Sequence, residues 1–183
     1  GNPQVVFVSE AHGMTGIDSV NGKKTWETDK LFTLKNVSSP VIAGNIVFAT
    51  AGKGGSGRES AAVRLDDSLP PGYPPEVAWK RNRDIPYVPT PIVIGAYLYI
   101  LSDAGAMTCV QAATGEQLWQ ADLDDKFYAS PVCVNGRIYL VTRSGEVIVL
   151  EAGIKYQVLA KNTLPEKSDA TPAIANGCMY IRT

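Results

Sequence analysis

Residues 90–129 read TPIVIGAYLYILSDAGAMTCVQAATGEQLWQADLDDKFYA, and their reading decides the fold. Four short apolar or alternating runs follow one another, at 91–94, 96–102, 106–111 and 117–121. Gly95, the Asp103-Ala104-Gly105 turn and the Thr114-Gly115 turn separate them. Runs rich in Val, Ile, Leu and Tyr, divided by glycine-containing turns, predict a four-stranded antiparallel meander.

The same grammar recurs along the chain. Ser39-Pro40, Thr90-Pro91, Ser130-Pro131 and Thr171-Pro172 open successive units, with prolines 51, 40 and 41 residues apart. An aromatic residue follows each proline by eight positions, at Phe48, Tyr99, Tyr139 and Tyr180. Gly44, Gly95, Gly136 and Gly177 follow by four or five, and Gly54, Gly105 and Gly145 by fourteen. Trp26, Trp79 and Trp119 mark the fourth strand, and Leu159 is the best substitute in the last full unit. Such self-similarity predicts stacked units, each too thin to bury both of its faces alone. Proline at the first residue of a strand breaks no ladder bond. The fourth-strand tryptophans are expected to pack in the seams between units.

One segment follows, with a partial unit at 1–37, units at 38–88, 89–129 and 130–170, and a partial unit at 171–183. In the first unit, 5–9, 15–20 and 24–28 match the second, third and fourth strands; the last unit carries only a first and a second strand. Unit 38–88 is longer than its neighbours by about eleven residues. The excess lies in GKGGSGRES at 52–60 and DDSLPPGYPPE at 66–76, both predicted as extended surface loops.

Composition narrows the function classes. With 17 basic and 18 acidic residues in 183, the net charge of -1 argues against nucleic acid as a partner of the whole surface. No stretch reaches the roughly 18 apolar residues of a membrane-spanning helix. No leader is visible, but the chain opens on Gly1 rather than Met, so it reads as a trimmed or processed product of undeclared address. Cys109, Cys133 and Cys178 lie far apart and His12 is the single histidine, too few local ligands for a zinc site. The cysteines read as small strand hydrophobes. The glycine-rich loop lacks the order of a phosphate-binding P-loop and precedes a strand rather than a helix.

Thr114-Gly115-Glu116-Gln117-Leu118-Trp119, Ser130-Pro131-Val132 and Asn135-Gly136-Arg137-Ile138-Tyr139 together resemble the PQQ-like repeat of β-propellers. The resemblance covers nearly the whole chain. It implies an all-β propeller of four-stranded blades, about four of them here, within a ring that in this family usually has seven or eight. A closed four-blade ring is the alternative, against which the surplus second strand at the N-terminus argues. The family includes quinoprotein alcohol and glucose dehydrogenases and the cofactor-free BamB-type assembly propeller. The run 127–131 and the ending 179–183 look most like bacterial members of the group. The resemblance also implies a periplasmic, cell-envelope or secreted location.

Three functions follow from that resemblance: a non-catalytic module that binds a protein partner, part of a PQQ-dependent oxidoreductase completed outside this chain, or a carbohydrate or small-ligand site in the channel. A quinone site implies Ca²⁺, a catalytic Asp and, in alcohol-oxidising members, a disulfide of adjacent cysteines. No Cys-Cys pair occurs, and Asp66, Asp67, Asp122, Asp124 and Asp125 sit in turns or at strand ends. No catalytic, cofactor-binding or metal residue is assigned. Lys53 and Arg58, Tyr73, and Arg81 and Arg83 are the candidate partner-binding residues, all in loops of one blade. Open sheet edges at 5–9 and 178–182 predict dimerisation by edge pairing.

Overall fold

The computed structural model describes residues 2–55 and 57–183; Gly1, and Ser56 of the glycine-rich loop, lie outside the described residues. Seventeen strands and their turns make up the described chain, with no helix among them. β1 (Gln4–Ser9), β2 (Gly13–Asp18) and β3 (Lys24–Glu27) form a three-stranded sheet. Three four-stranded meanders follow in chain order. They are β4 (Val41–Ala43) to β7 (Glu76–Lys80), with β5 (Ile46–Gly52) and β6 (Arg58–Arg64) between; β8 (Ile92–Ile94), β9 (Tyr97–Leu101), β10 (Ala106–Gln111) and β11 (Gln117–Asp122); and β12 (Val132–Val134), β13 (Arg137–Val141), β14 (Glu146–Glu151) and β15 (Val158–Thr163). β16 (Ala173–Ala175) and β17 (Cys178–Tyr180) pair alone. The arrangement is a partial propeller. Local chemistry closes its hairpins: Asn135-Gly136 and Asn176-Gly177 hold φ of 50° and 72°, and of 52° and 74°. Two successive positive φ values make the two-residue turn whose twist suits flanking strands, and Asn-Gly is its preferred sequence.

The core is a series of seams between blades. Period-2 alternation sends Leu98 and Ile100 to the seam with Ile46, Phe48 and Ala62 of the preceding blade. It sends Tyr99 and Leu101 to the seam with Ile138, Leu140, Ile148 and Leu150 of the following blade. Both faces of a middle strand are therefore buried, and it reads as a continuous apolar run. The end faces break this rule. Val5 and Phe7 occupy the register of Leu98 and Ile100, yet they are 46% and 58% exposed, where the interior residues are 1% and 0%.

A register break recurs at one place in every third-to-fourth strand pair: after Gly16, Ala62, Cys109 and Val149. The residues opposite are Trp26, Trp79, Trp119 and Ala160. Ala160 therefore stands where the tryptophans stand, not Leu159 as the sequence suggests. Leu159, like Leu118, is the extra residue that the bulge skips. At Gly16 an added Cβ would lie 2.3 Å from the Trp26 ring, which covers the bare backbone.

The residue before each proline links one blade to the next. Ser39 N–H donates to Thr90 Oγ1 at 3.1 Å, Thr90 N–H to Ser130 Oγ at 2.9 Å, and Ser130 N–H to Thr171 Oγ1 at 2.9 Å. Each hydroxyl accepts from the equivalent residue one blade earlier, so the Ser/Thr choice at this repeat position forms a ladder running from blade to blade.

The long unit departs from expectation at its first insertion. Its flanks are strand: β5 runs to Gly52 and β6 starts at Arg58, so the addition is an extended hairpin whose tip alone lies between the strands. The second insertion is a loop at 66–75, tied to the preceding blade by the Gly72 N–H donating to the Thr25 carbonyl at 2.7 Å.

Candidate functional site

Strand direction sorts the loops onto two faces. In a β4-β5-β6-β7 meander, the end of β5 and the end of β7 lie on one face, and the end of β6 on the other. Lys53, Arg58, Arg81 and Arg83 thus share a hairpin face, whereas Tyr73 in loop 66–75 projects from the opposite, turn face. The five candidate residues do not form one site. Sequence proximity within one blade grouped them, and the antiparallel fold divides them.

The four cations also differ in what they do. Arg58 Nη1 donates to the Lys53 carbonyl at 2.7 Å and the Gly57 carbonyl at 2.8 Å, and Nη2 lies 3.6 Å from Asp103 of the next blade. Its guanidinium stands 5.5 Å over the Tyr87 ring. Arg81 Nε donates to the Arg83 carbonyl at 3.0 Å and Nη2 to Gln117 Oε1 at 2.9 Å. Both arginines are therefore braces that hold the hairpin and the 81–84 loop. Lys53 and Arg83 are exposed, and neither makes an ion pair among the described residues. Asp103 accepts the backbone N–H groups of Tyr87 and Val88 at 2.6 and 3.1 Å, fixing the loop between these blades.

A second charged cluster on the hairpin face escaped the sequence reading. Arg143 pairs with Asp169 through Nε at 2.6 Å and Nη2 at 3.2 Å, and its guanidinium lies 4.0 Å over the Tyr128 ring. The Asp169 carboxylate holds the guanidinium firmly protonated. Burial pushes the Asp125 carboxyl up, but hydrogen bonds from the Ser144 hydroxyl and the Lys126 N–H outweigh it and leave the group below the usual range. Lys126, Lys167 and Arg182 join them around a cleft of about 800 Å³. Arg143 follows Pro131 by the twelve positions that separate Asp103 from Pro91, a signal the sequence did contain.

The tryptophans are structural in their contacts. Trp79 stacks on Phe48 at 5.1 Å and donates Nε1–H to the Ala112 carbonyl of the next blade at 2.9 Å. Trp119 donates to the Gly153 carbonyl at 2.9 Å and meets Tyr156 at 5.5 Å. Trp26 is buried beside Phe32 and Val47, but its Nε1–H donates to Gln4 Oε1 of its own blade at 2.8 Å. Tyr99 lies buried in the seam with the following blade. His12 Nδ1 lies 3.7 Å from the Glu27 carboxylate. The Cys109 thiol, buried in the seam, is pushed up to about 11 by desolvation and so is held as a neutral thiol. Among the described residues no three His, Cys, Asp or Glu side chains converge as metal ligands. No helix among them is long and apolar enough to cross a membrane.

The family model described as outer membrane protein assembly factor BamB matches residues 76–183, more than half of the chain. No curated protein matches significantly. Among solved structures, BamB from Moraxella catarrhalis superposes with a TM-score of 0.71 at 13% identity, covering 93% of this chain and 52% of that one. The computationally designed Ika8 protein gives 0.73 at 11% identity, covering 98% and 52%. Quinohemoprotein alcohol dehydrogenase from Comamonas testosteroni gives 0.63 at 11% identity, covering 87% and 34%. The chain thus spans about half the length of the first two and a third of the dehydrogenase. At these identities the likeness is one of fold.

Proposed function

Because the chain belongs to the family of the outer membrane protein assembly factor BamB, we propose that it is a protein-binding propeller segment of the cell envelope, part of a larger ring, that engages its partner on the hairpin face. The observation that supports this reading is the division of labour among the cations of blade 38–88. Arg58 and Arg81 are committed to holding the hairpin and loop, and they leave Lys53 and Arg83 presented to solvent on a fixed platform. Exposed cations on a braced surface favour a partner with an acidic segment, because complementary charge steers encounter and fixes register.

Cross-linking to envelope proteins tests it. The double variant Lys53→Glu/Arg83→Glu is expected to lose the cross-linked partner while keeping its melting temperature, and Tyr73→Ala on the other face is expected to keep the partner. Unchanged capture by the charge-reversed protein, or loss through Tyr73→Ala alone, would remove the hairpin face from this role.

A further inference from the structure

The seam between the first two sheets is closed differently from the next two. Trp79 and Trp119 each seal their seam by donating to a carbonyl in the tight turn between the third and fourth strands of the following blade. At Gly115 that turn lies so close that an added Cβ would sit 2.6 Å from the Trp79 ring. In the blade that follows Trp26 the tight turn is replaced by loop 66–75. Trp26 turns its Nε1–H to Gln4 instead, and a cavity of about 270 Å³ opens between the indole and the inserted loop.

The loop has its own internal ties. Asp66 Oδ1 accepts from the Ser68 N–H at 2.9 Å and hydroxyl at 2.6 Å, the Tyr73 N–H donates to the Pro70 carbonyl at 3.3 Å, and Gly72 anchors the whole to Thr25. Four prolines stiffen it, so the cavity wall is built rather than collapsed.

The lining has a definite chemistry. Trp26, Tyr73 and the prolines give it aromatic and apolar walls. Asp18, Asp66 and Asp67 give it three carboxylates, and no Lys, Arg or His lines it among the described residues. Both oxygens of Asp18 are occupied by Asn2, Val20 and Asn21. Asp66 engages Ser68 through Oδ1, and among the described residues its Oδ2 accepts no hydrogen bond. Aromatic faces beside carboxylates, with no competing cation, suit a positively charged group on an apolar stem.

We propose that this cavity is a binding site for a small organic cation, an alkylguanidinium or alkylammonium group. The cation sits against the Trp26 and Tyr73 rings and is held by Asp66 and Asp67. The site lies on the turn face, away from Lys53 and Arg83, and stands independently of the protein-binding reading.

The Trp26 indole is the reporter. In ¹⁵N-labelled protein its Nε1–H signal is assigned with Trp26→Phe, then followed as agmatine, n-butylammonium or butyrate is added. The two cations are expected to shift that signal saturably, leaving Trp79 and Trp119 in place, while the isosteric anion butyrate leaves all three unmoved. Asp66→Asn/Asp67→Asn is expected to weaken the cation by about tenfold, the scale of one lost charge-assisted contact. A peptide arm, acetyl-Gly-Arg-Gly-amide, separates sources: tighter binding than agmatine assigns the site to a partner's basic side chain, weaker binding to a free metabolite-sized cation. No saturable shift with any cation, an equal response to butyrate, or an unaltered affinity in the double variant overturns the proposal. Tyr73→Ala, at an exposed residue that leaves the seam intact, gives a second reading of the same site: unchanged affinity there excludes the aromatic wall.

Discussion

Replacing Ser130 by alanine tests the hydroxyl ladder between blades. The Ser130 Oγ accepts the Thr90 N–H at 2.9 Å in a partly buried position. Thr90 precedes a proline, so its backbone is confined to extended conformations and cannot turn its N–H elsewhere. Ser130→Ala therefore removes an acceptor without offering another, and the cost is that of a lost bond plus an incompletely solvated donor, about 1–2 kcal/mol. For a chain of this size that corresponds to a fall in melting temperature of about 3–6 °C. Ser130→Thr supplies the control, because threonine already fills the same repeat position at Thr90 and Thr171; it is expected to stay within about 0.5 kcal/mol of the parent. Thr171→Ala supplies a graded comparison. Thr171 is exposed, water can replace its oxygen for the Ser130 N–H, and the loss is expected to be smaller. Thermal unfolding followed by far-ultraviolet circular dichroism measures all three. If Ser130→Ala melts with the parent, or if Ser130→Thr falls as far as Ser130→Ala, the hydroxyls do not couple the blades and the Ser/Thr pattern before proline has another cause.

Two further predictions concern the end face and the acid limb of stability. Phe7 is 58% exposed, at a register where Ile100 and Leu140 are fully buried, so an isolated chain is expected to cover it by self-association. Phe7→Ser removes roughly 1.5–3 kcal/mol of buried apolar contact and so weakens association by about tenfold or more in sedimentation equilibrium; a parent that stays monomeric at high concentration would exclude it. The folded pKa of Asp125 lies below its ordinary value, so its contribution is full above about pH 4 and is lost as pH falls through the lowered folded value. Asp125→Asn should accordingly melt below the parent at neutral pH, with the gap closing on acidification below pH 4; a gap that is constant with pH would assign the difference to packing rather than to the charge.

The fold was legible because its determinants are local and repeated. A proline that opens a strand, a glycine that closes a hairpin and an aromatic eight residues on each act within one blade, and each recurs at Pro91, Gly95 and Tyr99 and their counterparts. Their recurrence gave the strand order and the seams between sheets. Failures came where one residue's role depends on register. Leu159 is an apolar residue near the right spacing, yet the bulge after Val149 skips it and puts Ala160 opposite. A one-residue offset in a strand exchanges faces, and a spacing count through a bulge carries that offset. The glycine-rich run was misread only at its flanks: glycine and serine read as loop throughout, but in-register pairing of Gly52 with Arg58 extends the two strands beyond their neighbours.

The candidate site was legible only as a set of residue types, because a surface is made by topology rather than by neighbourhood in sequence. Arg58 and Tyr73 are close in the chain, but Arg58 opens β6 and Tyr73 lies beyond its end, so they leave the blade at opposite ends. Arg143 and Asp169 are 26 residues apart and meet on the hairpin face because one strand pair and one crossover lie between them. The same logic ranks the cations. A guanidinium beside a loop with free carbonyls closes that loop, as Arg58 and Arg81 do, so charge in sequence overstates charge offered to a partner. What distinguishes Lys53 and Arg83 is therefore that among the described residues their side chains make no such carbonyl contacts, a property of the folded surface. If Lys53→Glu and Arg58→Glu were compared singly, the first should alter partner capture at constant stability and the second should lower stability before it alters capture. The opposite order would mean that the brace and the presented charge have been assigned to the wrong residues.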